Sequence, residues 1–287
     1  MKKLILPKLD WQKINSLIDM SLEEDIKTGD VTSISVIPEN INTEASFVTR
    51  ERCVCAGLEI AKTIFLKIDS RVEWISLVND GDILESGDVL ASVKGNARSL
   101  LTAERTALNF LQRLCGVATT TLKYVEAAGN SNTKILDTRK TTPGWRSLEK
   151  YAVVAGGGTN HRVGLYDRVM IKDNHRALAG LEGDGGIARS VKRAREKFPK
   201  LEVEVEADNL EEVKEAVESS ADYILLDNMT NNQMKEAIVI NQGRSKLEAS
   251  GGITIERIPS IAKIGVDFIS VGALTHSVKA IDISLEM

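Results

Sequence analysis

Cysteine, long apolar runs and net positive charge are all scarce in this chain, and each shortage removes a class of protein. Its three cysteines, Cys53, Cys55 and Cys115, form no metal-ligand spacing. In a strand, Cys53 and Cys55 point the same way and alone would make a poor zinc site, so free thiols in a reducing compartment are expected. Charge breaks every apolar stretch well short of the roughly 20 residues that a membrane-spanning helix needs. The opening residues offer only Leu4 to Leu6 before Pro7, too little for the apolar segment of a signal peptide. A soluble, cytoplasmic protein is expected. A formal net charge of −4 argues against a general nucleic-acid binder.

The charge that is present is unevenly placed. From Arg139 to Arg176 there are eight Lys or Arg (139, 140, 146, 150, 162, 168, 172, 176) against three acids (149, 167, 173), and two of the three histidines, His161 and His175, fall here. A basic pocket on an acidic protein suits a small, highly anionic ligand.

With 287 residues, 43% of them apolar, the chain divides into two domains. Residues 1–115 read as an N-terminal α+β sandwich domain, residues 116–275 as a βα-barrel catalytic domain, and the tail 276–287 as a return to the first. Trp11 to Glu24 has helical apolar spacing. Short strands follow at Ala45 to Val48, Val54 to Cys55, Val72 to Leu77 and Val89 to Val93, separated by turn signals such as Asn79-Asp80-Gly81-Asp82. Asp80 to Gly95 resembles the hammerhead hairpins of biotinyl and lipoyl carriers but lacks their modifiable lysine, so it reads as scaffold. A helix from Arg98 to Cys115 buries Leu100, Ala103, Ala107, Leu111 and Leu114 and carries a polar stripe of Arg105, Asn109, Gln112 and Arg113. Gly156-Gly157-Gly158 reads equally as a hinge or a ligand cradle, and no dinucleotide fingerprint opens the first βα unit.

Beyond Thr133, strand patterns alternate with helical ones, the signature of a parallel sheet. Strand ends at 206, 227, 250 and 272 are spaced for one strand and one helix per unit, which favours a parallel βα barrel, TIM-like and incomplete, over an open sheet. A barrel gathers the C-terminal ends of its strands on one face. Here those ends carry Thr138, Arg139 and Lys140, then Lys172, Glu206, Asp227, Ser250 and Gly272. Arg139, Lys140, His161, Arg162 and Lys172 supply guanidinium, ammonium and imidazole groups for a ligand bearing both carboxylate and phosphate. Surface salt bridges to Asp137, Asp167 and Asp173 are the bland alternative. Glu206 and Asp227 end consecutive strands and can hold Mg²⁺, accept from a sugar diol or stabilise developing positive charge. Glu202 and Glu204 share the inward side with Glu206. The loops Ser250-Gly251-Gly252 and Gly272-Ala273-Leu274 sit where many barrels bind phosphate through backbone N–H groups.

These residues together resemble the quinolinate phosphoribosyltransferase family. The resemblance runs through ERTALNFLQRLCGVAT (104–119), DTRKTTPGWRSLEKYAV (137–153), GGGTNHRVGLYDRVMIKDNH (156–175), EVEVEAD (202–208), LLDN (225–228), EASGGI (248–253) and SVGALTHS (270–277). It implies transfer of phosphoribose from phosphoribosyl pyrophosphate to the ring nitrogen of quinolinate, with loss of CO₂ and pyrophosphate, for NAD biosynthesis. Carried over by motif, Arg139, His161, Arg162 and Lys172 would surround the quinolinate carboxylates, Thr138 would also bind substrate, and Arg105 would reach in from the neighbouring subunit of a homodimer or higher oligomer. Lys140 and Lys172 would approach phosphates, while Glu206 and Asp227 would face the ribose and Mg²⁺. Ser250, Gly251, Gly252, Gly272 and Ala273 would hold the 5′-phosphate. Lys140, Lys172, Glu206 and Asp227 are the catalytic candidates. Two positions depart from the family: Cys115 stands where relatives often have serine, and 177–189 is longer and richer in glycine. The closest competing reading is a related pyrophosphorylase-like protein associated with molybdate transport, against which Arg139, His161 and Arg162 weigh.

Overall fold

The computed structural model describes residues 5–183 and 185–287. The readings that touch residues 1–4, and Asp184 within 177–189, lie outside the described residues. Two compact units emerge, one made of residues up to Leu122, Thr141–Gly157 and Ala273–Met287, the other of Lys123–Lys140 and Gly158–Gly272.

The first unit opens with a helix, Trp11–Ile26, whose N-terminus is capped by Asp10 and whose buried side is Ile14, Ile18 and Leu22, the i, i+4, i+8 stripe of an amphipathic helix. Five strands follow: β1 (Asn42–Thr49), β2 (Cys53–Val54), β3 (Glu73–Ser76), β4 (Ile83–Leu84) and β5 (Val89–Asn96). β5 pairs antiparallel with β1 on one side and β3 on the other, while β2 and β4 make a separate small ladder. The helix Leu58–Ile68 lies across this sheet, with Phe65 packed against Phe47 and Trp74 at ring-centroid distances of 5.7 and 5.8 Å. Its N-terminus has no side-chain cap of its own. The Asp80 carboxylate fills that role, accepting from Gly57 N at 2.9 Å and Leu58 N at 3.2 Å, a favourable place for negative charge. It also accepts from the Tyr151 hydroxyl at 2.6 Å. The hairpin that resembles a carrier domain is thus built into the scaffold.

The helix expected over 98–115 runs from Ala97 to Ala128. Gly116 lies inside it because a Cβ there would collide with the Lys279 carbonyl oxygen. Gly156 is likewise a close-packing residue, since a Cβ would collide with the Ala118 carbonyl oxygen, and Gly157 follows at φ +85° where the helix Arg146–Ala155 stops.

The second unit is a parallel sheet of β6 (Lys134–Leu136), β7 (Val169–Ile171), β8 (Val203–Ala207), β9 (Tyr223–Asp227), β10 (Lys246–Ser250) and β11 (Phe268–Ser270), in the order β6-β11-β10-β9-β8-β7. A parallel bridge from Leu136 to Thr159 extends it past β6. Helices Asp173–Gly180, Gly186–Lys197, Leu210–Glu218, Asn231–Asn241 and Ile258–Ile264 connect the strands, with side-chain caps from Asn209 and Thr230 starting two of them. The sheet is curled into an incomplete barrel. Neighbouring strands lie about 4.8 Å apart, so a flat sheet would hold β8 and β10 about 10 Å from each other and the Thr159 edge about 14 Å beyond β10. Instead the His161 side chain meets Glu204 of β8 at 3.3 Å and Glu248 of β10 at 3.4 Å.

The tail strand β12 (Ile283–Glu286) belongs to the first unit, antiparallel to β1 with Phe47 opposite Leu285. Among the described residues no helix is long and apolar enough to cross a membrane.

Candidate active site

Within the second unit, the groups singled out in the sequence gather at the C-terminal ends of the strands and in the curled interior beneath them. On the basic side, Thr138 Oγ1 accepts from Lys140 N at 3.0 Å and so turns the chain as it leaves β6. Arg162 donates to the Arg168 carbonyl at 3.1 Å and contacts Met170 Sδ at 3.4 Å. Burial, and then the charge of Arg139, hold the Arg162 guanidinium below its ordinary pKa. An anionic ligand between the two guanidiniums would relieve their repulsion. Asp137 and Asp167 spend carboxylate capacity on backbone, accepting from His161 N at 2.7 Å, Val163 N at 2.6 Å and Gly164 N at 3.0 Å. Both acids shape the segment that presents His161 and Arg162.

The acidic side is organised by β8 and β9. The strand β8 is buried along its whole length, with Glu204 and Glu206 alternating with Val203, Val205 and Ala207. Glu206 forms an ion pair with Lys172 at 2.8 Å. Glu206, Asp208 and Asp227 each offer a carboxylate oxygen, all within 4.8 Å of one another. Burial first, and then the charges of Glu206 and Asp208, raise the Asp227 pKa above its ordinary value. Asp208, which also pairs with Arg176 at 2.7 Å, is an addition to the pair read from the sequence. Hard carboxylate oxygens that repel one another match the donor set of Mg²⁺.

Deeper in, His161, Glu204 and Glu248 form a second, fully enclosed cluster. Glu204 also lies 3.4 Å from the Arg168 guanidinium, which covers the Tyr223 ring at 3.9 Å. Burial opposes a charge on the imidazole, whereas the nearby carboxylates of Glu204 and Glu248 strengthen its hold on a proton. Glu202, expected to point inward with Glu204, is instead exposed and bonds Arg168 at 3.2 Å; it precedes β8, where the alternation has not begun. Glu248 went unmarked in the sequence. Its signal was the spacing from Ser250, which puts both on one face of β10.

The loop after β10 turns sharply. Asn228 N donates to the Ser250 carbonyl at 3.0 Å, Gly251 has φ +86°, and a Cβ there would collide with Asn228, so only glycine fits. Gly252 also has φ +56° and open space around it. Gly272 ends the second unit, while Ala273 begins the short helix Ala273–His276 of the first.

In the first unit, the polar stripe on the helix Ala97–Ala128 splits by purpose. Arg105 and Asn109 are exposed. Gln112 donates to the Ile283 carbonyl at 2.7 Å, and Arg113 binds the Thr275 and Val278 carbonyls and the buried Glu149 carboxylate.

Comparison with known proteins agrees with this chemistry. The profile described as quinolinate phosphoribosyl transferase, C-terminal domain, matches residues 117–286, and that for the N-terminal domain matches residues 30–115. The chain is 44% identical to a probable nicotinate-nucleotide pyrophosphorylase (carboxylating) of Bacillus subtilis, over 96% of this chain and 93% of that one. It is 43% identical to the chloroplastic nicotinate-nucleotide pyrophosphorylase (carboxylating) of Arabidopsis thaliana, over 96% and 82%. The solved nicotinate-nucleotide pyrophosphorylase of Francisella tularensis superposes with a TM-score of 0.92 at 42% identity, covering 98% of each chain.

Proposed function

Since the chain belongs to the quinolinate phosphoribosyltransferase family, we propose that it transfers phosphoribose from phosphoribosyl pyrophosphate to quinolinate with decarboxylation, giving nicotinate mononucleotide, pyrophosphate and CO₂ for NAD biosynthesis. The observation that carries this reading is the presence, inside one unit, of both a guanidinium pair, Arg139 and Arg162, and the acid cluster of Glu206, Asp208 and Asp227. The first suits the two ring carboxylates of quinolinate, the second the ribose and its reacting carbon.

Arg139 and Arg162 would clamp the carboxylates, with Thr138 and Lys172 beside them, because fork-shaped donors fix a planar dianion in register. Lys140 and Lys172 would meet phosphate oxygens as point charges. As pyrophosphate departs, positive charge develops on the ribose, and the carboxylates of Glu206 and Asp227 stabilise it electrostatically. Once the ring nitrogen is alkylated, the pyridinium accepts the electron pair released as the adjacent carboxylate leaves as CO₂, and a proton replaces it on carbon. The ring is its own electron sink. Ser250, Gly251, Gly252 and Gly272 would receive the 5′-phosphate through backbone N–H groups.

Glu206 and Asp227, with Asp208 added, would hold Mg²⁺ that arrives with phosphoribosyl pyrophosphate. Bound there, it supplies charge neutralisation for the pyrophosphate leaving group. The assembly we propose is a cytoplasmic homodimer in which the exposed Arg105 reaches the neighbouring subunit's site. Incubation with quinolinate, phosphoribosyl pyrophosphate and Mg²⁺, with nicotinate as parallel substrate, tests the reading: product from quinolinate and none from nicotinate is expected.

A further inference from the structure

Glu248 has no part in the chemistry above, yet it is wholly buried in the barrel interior, and neither of its carboxylate oxygens has a hydrogen-bond partner of good geometry. It faces His161 Nε2 at 3.4 Å, with Glu204 on the other side of the same nitrogen at 3.3 Å. The opposite nitrogen, Nδ1, accepts the backbone N–H of Arg162 at 2.6 Å. That bond requires a lone pair on Nδ1, so the ring proton sits on Nε2, between the two carboxylates. A doubly protonated ring would set two N–H donors against each other at Nδ1, so the geometry selects the neutral ring even though the carboxylates strengthen its hold on a proton. A metal ion at this cluster is disfavoured for the same reason, since it would need the Nε2 lone pair.

We propose that Glu248 is a positioning residue: with Glu204 it holds the Nε2–H tautomer of His161, whose Nδ1 then fixes the Arg162 backbone and aims its guanidinium at the anionic substrate. This deepens the functional reading and rests on it. His161 then also acts through Arg162. Burial and the neighbouring Glu204 both push the Glu248 pKa up, which favours its protonated form. A protonated Glu248 is closely mimicked by glutamine.

The test compares Glu248→Gln with Glu248→Ala in the intact protein. Glu248→Gln should keep the quinolinate KM within about twofold of wild type, whereas Glu248→Ala should raise it at least about tenfold, the loss expected when one charge-assisted contact is misaligned. The KM for phosphoribosyl pyrophosphate should stay within about twofold in both. An unchanged quinolinate KM in Glu248→Ala, or a fall in kcat with both KM values unmoved, overturns the proposal. Nitrogen-15 NMR of histidine-labelled wild-type protein, with His161 assigned through His161→Gln, decides it even if Glu248→Ala does not fold. A protonated Nε2 with a bare Nδ1 is expected; a protonated Nδ1 overturns the proposal. Wild-type protein that makes no nicotinate mononucleotide would remove the functional reading, while the tautomer would still be read independently.

Discussion

Arg162 sits where its charge is disfavoured, partly buried and close to a second guanidinium. Such a group is suited to a ligand that brings the missing negative charge, and its removal weakens binding more than the chemical step. In Arg162→Ala the quinolinate KM is expected to rise at least about tenfold, with the phosphoribosyl pyrophosphate KM little changed. Steady-state kinetics with each substrate varied in turn checks this; normal quinolinate affinity would refute the assignment. Asp227 makes the opposite case. Burial, Glu206 and Asp208 raise its pKa, so the folded protein holds that proton more tightly than the unfolded chain does. Stability from this group is therefore greatest at low pH and is lost as pH rises through the unfolded value towards the folded one. At pH 7, Asp227→Asn should raise the Tm of protein treated with a chelator, by about 1–3 °C, while abolishing most transfer activity. A lower Tm in scanning calorimetry would mean that Asp227 is a structural acid.

At the scale of elements, the helix Ala97–Ala128 organises the first unit through one buried carboxylate. Glu149 accepts from Arg113 at 2.8 Å, from Thr142 N at 3.1 Å and from Thr142 Oγ1 at 3.0 Å. Removing it leaves the Arg113 charge without its buried carboxylate and two loop donors without that acceptor. Glu149→Ala is expected to cost about 3 kcal/mol or more, a Tm fall of roughly 6–12 °C for a chain of this size; a fall within experimental error would contradict the role. The elements that were legible in the sequence are those fixed by local pattern. The β8 to β11 runs are apolar stretches ending on a functional group, and the helices after them carry their own caps in Asn209 and Thr230. What escaped was decided by distant residues. Leu58–Ile68 carries β-branched and aromatic side chains and becomes a helix against a cap, Asp80, more than twenty residues away. Gly116 lies inside the helix Ala97–Ala128, at the point where the Lys279 backbone passes.

For the whole molecule, the legible part of the site is its charge at strand ends, because a parallel sheet gathers those ends irrespective of sequence distance. The buried part, Glu248 beside His161, depends on how far the sheet curls, and no local pattern encodes curvature. A shared site across a homodimer gives a further expected outcome. Arg105→Ala and Lys172→Ala proteins, each nearly inactive alone, should regain up to about a quarter of wild-type activity when mixed dimers form, since random exchange restores one intact site in half the dimers. Verified mixed dimers without recovery would place Arg105 outside the neighbouring site. The most direct measurement is the reaction itself: purified protein with quinolinate, phosphoribosyl pyrophosphate and Mg²⁺, following nicotinate mononucleotide and CO₂ together. Equal amounts of both products from quinolinate, and no nucleotide from nicotinate, are expected; folded protein that yields neither product would contradict the assignment.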